Sequence, residues 1–393
     1  MSGPERVVVA GAGLAGLRTI EELRGRGYDG AVTLVGAESR LPYDRPPLSK
    51  KLMIGALDDT SLRTELDSLG VDVRLGECAT GLTDDRLTTD QGDHLFDALV
   101  LATGASPVTL PGEGRQHVLR TVDDALELRR LLTPGTALAI VGAGWIGAEL
   151  ATAAAQLGCQ VTVLEAAQAP VAAAVGAEIG AITIPWYAAA GVDLRLGQGV
   201  DEVRPGGLAL AGGEWLPADV VVTAIGVRPA VAWLGGSAIR LENGVAVDGQ
   251  LRTSVPGVFA VGDCAAFWSA RYGRRLRFEH WDVALHAPTV AAANIVGGSE
   301  TYDPVPYFWS EQFGRMVQYV GYHGAADRLV WRGDPADQKW AAAWLAGDRL
   351  VALLTVGLPR DLLQGRRVIE AGGPVDAARL ADPAVPVRDT VAA

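Results

Sequence analysis

Val7-Val8-Val9-Ala10-Gly11-Ala12-Gly13-Leu14-Ala15-Gly16 decides how the rest of the chain is read. Four small apolar residues predict a buried strand. The glycines predict a tight turn, and the apolar positions from Leu17 to Leu23 predict a helix. This is the pattern of a dinucleotide-binding strand–turn–helix. Gly11 permits the turn, Gly13 lets a pyrophosphate approach the backbone, and Gly16 lets helix and strand pack closely. The phosphates are then expected at the free N–H groups of the helix start, around Leu14 and Ala15.

One such turn is a weak signal, but it recurs. Ala139-Ile140-Val141-Gly142-Ala143-Gly144-Trp145-Ile146-Gly147 repeats strand, turn and helix 131 residues later. Two units in one chain predict two nucleotide sites. After the second, Val161-Thr162-Val163-Leu164-Glu165 reads as the next strand with an acid at its end, 18 residues beyond Gly147. A carboxylate there would hydrogen-bond an adenosine ribose and repel a 2′-phosphate, so NADH is expected rather than NADPH. The first unit is less regular: its second strand, Val32–Val35, ends at Gly36, and the nearest acid is Glu38.

Composition sets the outer limits. The chain has 393 residues, 49% of them hydrophobic and 20% charged, so an ordinary globular protein of two or three domains is expected. A net charge of −12 argues against nucleic acid as a partner. No apolar run has transmembrane length, and the strand pattern begins by Arg6, leaving no room for a signal peptide; a cytoplasmic protein is expected. Cys78, Cys159 and Cys264 lie far apart, so neither a metal site nor a redox disulfide is expected.

Two further segments extend the pattern. Leu101-Ala102-Thr103-Gly104 and Val258-Phe259-Ala260-Val261-Gly262-Asp263 are apolar strands ending in Thr-Gly and Gly-Asp turns. With the two glycine turns, in this order, they resemble the flavoproteins with two dinucleotide-binding domains that are related to glutathione reductase. Tyr43-Asp44-Arg45-Pro46-Pro47-Leu48-Ser49-Lys50 and Tyr307-Phe308-Trp309-Ser310-Glu311-Gln312 narrow the resemblance to ferredoxin reductases coupled to oxygenases, and Leu119-Arg120-Thr121 and Glu279-His280-Trp281 fit the same group. The resemblance runs to about residue 370. Beyond it, Pro374, Pro383 and Pro386 predict a loosely ordered tail.

The resemblance implies an α/β fold with two Rossmann-like domains, for FAD and NAD, and a small C-terminal α+β domain. The FAD domain is expected at 1–112 and 242–305, the NAD domain at 113–241 and the C-terminal domain at 306–393. FAD contacts are implied for Gly11, Gly13, Leu14, Ala15, Gly16, Glu38, Arg45, Lys50, Ala79, Thr103, Gly104, Arg120, Asp263 and Trp281. Asp263 would hold the ribityl chain, and the Trp281 backbone N–H would meet a pyrimidine oxygen. NAD contacts are implied for Gly142, Gly144, Trp145, Ile146, Gly147, Glu149, Glu165 and Gly226. Lys50, paired with Glu149, is implied at the reactive edge of the flavin. His280 reads as a packed histidine rather than an acid–base group, and Trp331, Trp340 and Trp344 as residues of a C-terminal sheet.

Disulfide reductases of this fold carry a cysteine pair after the second strand; Leu41 to Ile54 contains no cysteine. Electrons are therefore expected to leave through the flavin. The implied activity is hydride transfer from NADH to FAD, followed by single-electron transfer to an iron–sulfur ferredoxin serving a P450 or Rieske-type oxygenase. The alternatives are a reductase of rubredoxin or another one-electron acceptor, and an NADH-responsive redox-signalling flavoprotein. An acidic ferredoxin would need a local basic patch, and Arg271, Arg274, Arg275 and Arg277, with Arg315, are the candidates.

Overall fold

A computed structural model describes residues 3–64 and 66–392. The chain divides into two compact units, each assembled from separate stretches.

The first unit comprises Met1–Asp44, Asp59–Ser106 and Val227–Pro304. Its centre is a five-stranded parallel sheet in the order Val258–Ala260, Ala98–Leu101, Arg6–Ala10, Ala31–Gly36, Val71–Leu75. Val7 to Ala10 are no more than 2% exposed, which explains an unbroken apolar run in place of alternation: both faces of the strand are covered. The chain leaves Arg6–Ala10 towards one edge of the sheet and returns on its other side. The glycine turn therefore opens at the switch point, where a parallel sheet forms its ligand crevice. Helix Leu14–Gly25 follows that turn and lies along helix Trp281–Ile295.

The second unit comprises Arg45–Asp58, Pro107–Gly226 and Val305–Ala393. It repeats the motif in a four-stranded parallel sheet, ordered Asp193–Leu196, Gln160–Glu165, Ala137–Val141, Val220–Thr223. Its C-terminal part is a five-stranded antiparallel sheet, Tyr307–Gln312, Arg315–Gly321, Arg349–Val356, Trp340–Ala346, Arg328–Arg332. One face packs on helix Pro359–Ala371 through Leu353, Leu362 and Ile369. The other packs on helix Ala177–Ala189, where Trp186 meets a core containing Trp340, Trp344 and Leu354, with Trp331 against it. The three tryptophans are thus sheet residues, as their spacing indicates.

These units do not follow the sequence boundaries. Residues 45–58 cluster with the second glycine turn, and 227–241 with the first unit, where Ala230 N–H donates to the Gly104 carbonyl and Thr103 Oγ1 to that of Ala230.

The tail requires a correction. It is ordered and anchored, not loose. Asp376 caps the short helix Ala377–Ala381, and Leu380 and Val387 are fully buried. The guanidinium of Arg332, 3% exposed, pairs with Asp361 at 2.8 Å and donates to the carbonyls of Leu380, Asp382 and Pro383. Prolines preset φ and remove donors, which suits short turns; the buried arginine supplies the donors instead.

Candidate functional site

The two glycine turns are built alike. A Cβ at Gly11 would lie 2.1 Å from the Ala102 carbonyl oxygen, and one at Gly142 would lie 2.4 Å from that of Ala224. Both residues have positive φ, 124° and 103°, so each turn requires glycine twice over. A Cβ at Gly16 or Gly147 would collide with the carbonyl oxygen of its own first glycine, at 1.9 and 2.0 Å. Gly13 and Gly144 differ: a Cβ there meets no protein atom within 4 Å. The fold does not need glycine at these two positions, and they leave open space beside the turn. Each is the N-cap of a twelve-residue helix without a side-chain cap, so the first N–H groups of Leu14–Gly25 and Trp145–Gln156 are not claimed by a capping side chain. Two dinucleotides fit this arrangement.

In the first unit, Gly262 lies against the first helix: its Cβ would come within 3.1 Å of Ala15 Cβ. That packing brings Asp263 beside the first glycine turn. Trp281 begins its helix as the sequence indicates, with Nε1 donating to Asp44 Oδ1 at 2.7 Å. Gly36, where the second site has its acid, is explained by packing, because a Cβ there would lie 2.5 Å from Ala12 Cβ. Glu38 accepts a 2.5 Å hydrogen bond from the Tyr43 hydroxyl. Ala79 starts a small antiparallel sheet, half-buried and opposite Thr89. His280 stacks on Phe278 at 5.1 Å, and burial lowers its pKa to about 4 against the opposing pull of Asp263. It is a neutral, packed ring at neutral pH.

In the second unit, Glu165 ends its strand and accepts from the N–H groups of Ala143 and Ala167, both at 2.8 Å. It therefore braces the glycine turn as well as presenting a carboxylate beside it. Ile146 and Ile225 are 44% and 39% exposed, and Gly226 follows with φ 105°. The Ile225 backbone nitrogen lies 3.3 Å from where a Gly142 Cβ would stand, so the chain at Ile225 passes close to this turn.

The same unit brings Lys50 and Glu149 together. Lys50 Nζ lies 2.6 Å from Glu149 Oε2, with the side chains 15% and 4% exposed. Two residues with no role assigned from sequence complete the cluster: Ser49 Oγ donates to Oε2 at 2.5 Å and Ser310 Oγ to Oε1 at 2.6 Å. A carboxylate so far from water needs such donors. Both serines stand inside the quoted segments, yet nothing in those segments indicates that they converge on Glu149. Arg45 donates to the Arg120 carbonyl, and Arg120 N–H to Asp124.

Of the arginine cluster, two members are structural. Arg275 donates to the carbonyls of Val247 and Ala266 and lies 3.4 Å from Glu242; Arg277, 10% exposed, pairs with Glu279 at 2.6 Å and donates to the Asp263 carbonyl. Arg271 and Arg274 are exposed. Arg315 lies over the Trp186 ring at 4.7 Å. Trp309 stacks on Tyr307 at 6.0 Å. Among the described residues no group of acids, histidines and cysteines could hold a metal ion, and no helix is long and apolar enough to cross a membrane.

Comparison with known proteins agrees with this geometry. Residues 5–287 match the pyridine nucleotide-disulphide oxidoreductase family, and 307–391 match the reductase C-terminal family. The ferredoxin–NAD(+) reductase component of the anthranilate 1,2-dioxygenase system of Burkholderia cepacia is 37% identical, over 96% of this chain and 97% of that one. Two solved structures superpose with a TM-score of 0.94. One is Fdr9, 50% identical and covering 98% of this chain and 99% of its own. The other is a chain of the covalent putidaredoxin reductase–putidaredoxin complex, 31% identical and covering 98% of each. With both glycine turns in place and no cysteine between Leu41 and Ile54, the chain belongs to the pyridine nucleotide-disulphide oxidoreductase family, as an FAD- and NAD-using oxidoreductase of the oxygenase-coupled ferredoxin reductase type.

Proposed function

We propose that this chain takes hydride from NADH and passes electrons singly to an iron–sulfur ferredoxin that serves a P450 or Rieske-type oxygenase. The observation that carries this reading is the pair of equivalent glycine turns, with Lys50, in the cysteine-free segment after the second strand, paired to the buried carboxylate of Glu149 on the helix that follows the second turn. FAD, when bound, supplies the conversion between two-electron and one-electron transfer. The chain's residues bind, orient and tune.

We assign FAD to the first unit, with the pyrophosphate on the helix start at Leu14 and Ala15 and the ribityl hydroxyls on Asp263. Trp281, Thr103, Gly104, Glu38 and Ala79 complete that site within the same unit. We assign NAD to the second turn, with the adenosine ribose on Glu165 and apolar contacts from Trp145, Ile146 and Ile225. Lys50 supplies positive charge where negative charge develops on reduction. Glu149 keeps that ammonium paired and fixed. The working compartment is the cytoplasm, where NADH is made.

Turnover tests the reading. Purified holoprotein with NADH and a ferredoxin should reduce cytochrome c through the ferredoxin, with single turnover bleaching the flavin first. Flavin that NADH reduces but that no ferredoxin reoxidises would overturn the acceptor. It would point instead to the signalling alternative.

A further inference from the structure

Glu149 is held from three directions, and one of its partners comes from a distant part of the chain. We propose that Ser310, on the first strand of the C-terminal sheet, is a positioning residue for hydride transfer. It fixes Glu149 Oε1 so that Oε2 stays directed at Lys50. The proposal rests on the reading of Lys50 and Glu149 given above.

The contact is a built one. Ser310 is fully buried, and its Oγ lies 2.6 Å from Glu149 Oε1. A serine hydroxyl has one proton to give. Gln312 Nε2, itself buried, approaches the same oxygen at 3.5 Å as a donor, which leaves that proton for the carboxylate. Oε2 is already taken by Ser49 at 2.5 Å and Lys50 at 2.6 Å. Without Ser310, Oε1 would be a buried acceptor with no partner, and the carboxylate would be free to turn about its last bond.

The strand is also pinned on both sides of Ser310. Trp145, Glu149 and Thr152 lie along one face of helix Trp145–Gln156 at helical spacing. They meet the hairpin in order. The Trp145 ring lies 4.5 Å from that of Phe308, Glu149 takes Ser310, and Thr152 Oγ1 accepts from Phe313 N–H at 2.9 Å. Phe313 sits in the left-handed region, φ 51°, where a side chain is disfavoured unless its surroundings hold it. They do: its ring packs on Tyr187 at 4.5 Å, and Arg315 covers Trp186 at 4.7 Å. Anchors on either side of Ser310 leave its hydroxyl little freedom to aim elsewhere.

The test uses FAD-loaded protein. Ser310→Ala should slow the limiting rate of flavin reduction by NADH about tenfold, the scale of one hydrogen bond to a charged group. The NADH dissociation constant should stay within about twofold, because Ser310 touches Glu149 and not the nucleotide turn. In a Glu149→Gln background the same change should have little further effect. Ser310→Cys keeps the size and offers a weaker donor, so it should slow the step by an intermediate factor even if the alanine variant does not fold. A wild-type limiting rate in either folded variant, or the full loss repeated in Glu149→Gln, would overturn the proposal. A crystal structure of the variant gives a readout that is independent of NADH chemistry. In support, the Glu149 carboxylate is turned and Lys50 lies beyond hydrogen-bond reach; an unmoved carboxylate counts against. Failure of the wild-type protein to be reduced by NADH would instead defeat the proposed function and leave that crystallographic arm to decide the role of Ser310.

Discussion

Lys50 Nζ and Glu149 Oε2 lie 2.6 Å apart, although 99 residues separate them in sequence, and the carboxylate is only 4% exposed. Removing one member of a buried pair strands the other, so the two single changes should each be severe. Lys50→Met and Glu149→Gln should each slow flavin reduction by NADH at least about tenfold, and the double variant should lose less than the product of the two. Stopped-flow reduction rates across the four proteins decide this; strictly multiplicative losses would show that the pair does not act together.

The open space at Gly13 and Gly144 separates the two nucleotides. Both residues have φ below zero, −86° and −72°, and extended ψ, so alanine adds no strain and meets no protein atom. Gly13→Ala and Gly144→Ala should therefore fold with melting temperatures close to that of the parent. The first should lose FAD on dialysis while its NADH turn is intact. The second should keep FAD and raise the KM for NADH about tenfold or more, as expected for a methyl group thrust at a pyrophosphate. FAD content and steady-state KM measure the two effects, and loss of FAD from Gly144→Ala would show that the assignments are reversed.

Nucleotide choice is predicted to depend on Glu165. Its carboxylate braces Ala143 N–H and Ala167 N–H and is expected to hold the ribose, with no basic residue from Ala166 to Pro170 to receive a 2′-phosphate. Hydrogen bonds to a charged group are worth about 1.5–3 kcal/mol, so kcat/KM should favour NADH over NADPH by at least about tenfold. Glu165→Gln keeps one acceptor oxygen and removes the repulsion. It should narrow the ratio chiefly by slowing NADH, and should disturb the turn less than alanine. Equal use of both nucleotides by the unaltered protein would remove Glu165 from this role.

His280 gives a pH prediction of definite sign. Its pKa in the folded chain is lowered to about 4, by burial first, whereas an unfolded histidine titrates near 6.5. The unfolded state then binds more protons between about pH 4 and 6.5, so stability contributed by the neutral ring is complete above about 6.5 and is lost as pH falls through that window. The loss should be of the order of 3 kcal/mol by pH 4. His280→Phe should flatten that part of the melting-temperature profile. A profile unchanged by the substitution would show that His280 does not carry the effect.

What was legible in the sequence was local. Each glycine turn is set by residues within one strand–turn–helix, so Gly11 to Gly16 and Gly142 to Gly147 could be read directly. Asp263 and Trp281 could be placed because short motifs mark the ends of their elements. Convergence across the chain could not be read. Ser310 is 161 residues from Glu149, and an ordinary serine in a strand carries no mark of its partner. Gly36 looks like a missing acid until Ala12 is seen against it. The tail looks loose because its prolines are visible, while the arginine that anchors it, Arg332, lies about 50 residues earlier. The arginine cluster was legible only in part for the same reason: spacing counts charges but does not show that Arg275 and Arg277 bond backbone carbonyls and acids of their own unit.

That finding reshapes the prediction for the electron acceptor. A chain of net charge −12 repels an acidic ferredoxin at long range, so any attraction must be local. Reversing Arg275 would strip donors from the Val247 and Ala266 carbonyls and damage the fold, so it cannot report on docking. Arg271 and Arg274 are exposed, and Arg274 stands opposite Ser269 on a strand beside Trp268, which is itself 46% exposed. Exposed cations and an exposed aromatic on one short hairpin are the composition of a docking patch. Reversing both, Arg271→Glu with Arg274→Glu, should raise the KM for ferredoxin several-fold and leave that for NADH unchanged. Screening over about 10 Å at 0.1 M salt should weaken ferredoxin reduction in the parent and much less in the double variant. Ferricyanide reduction, which needs no docking, serves as the control and should stay constant in both. Steady-state ferredoxin reduction across a salt series makes the measurement. An unchanged ferredoxin KM with an unchanged salt slope in the double variant would place the dock elsewhere on the chain.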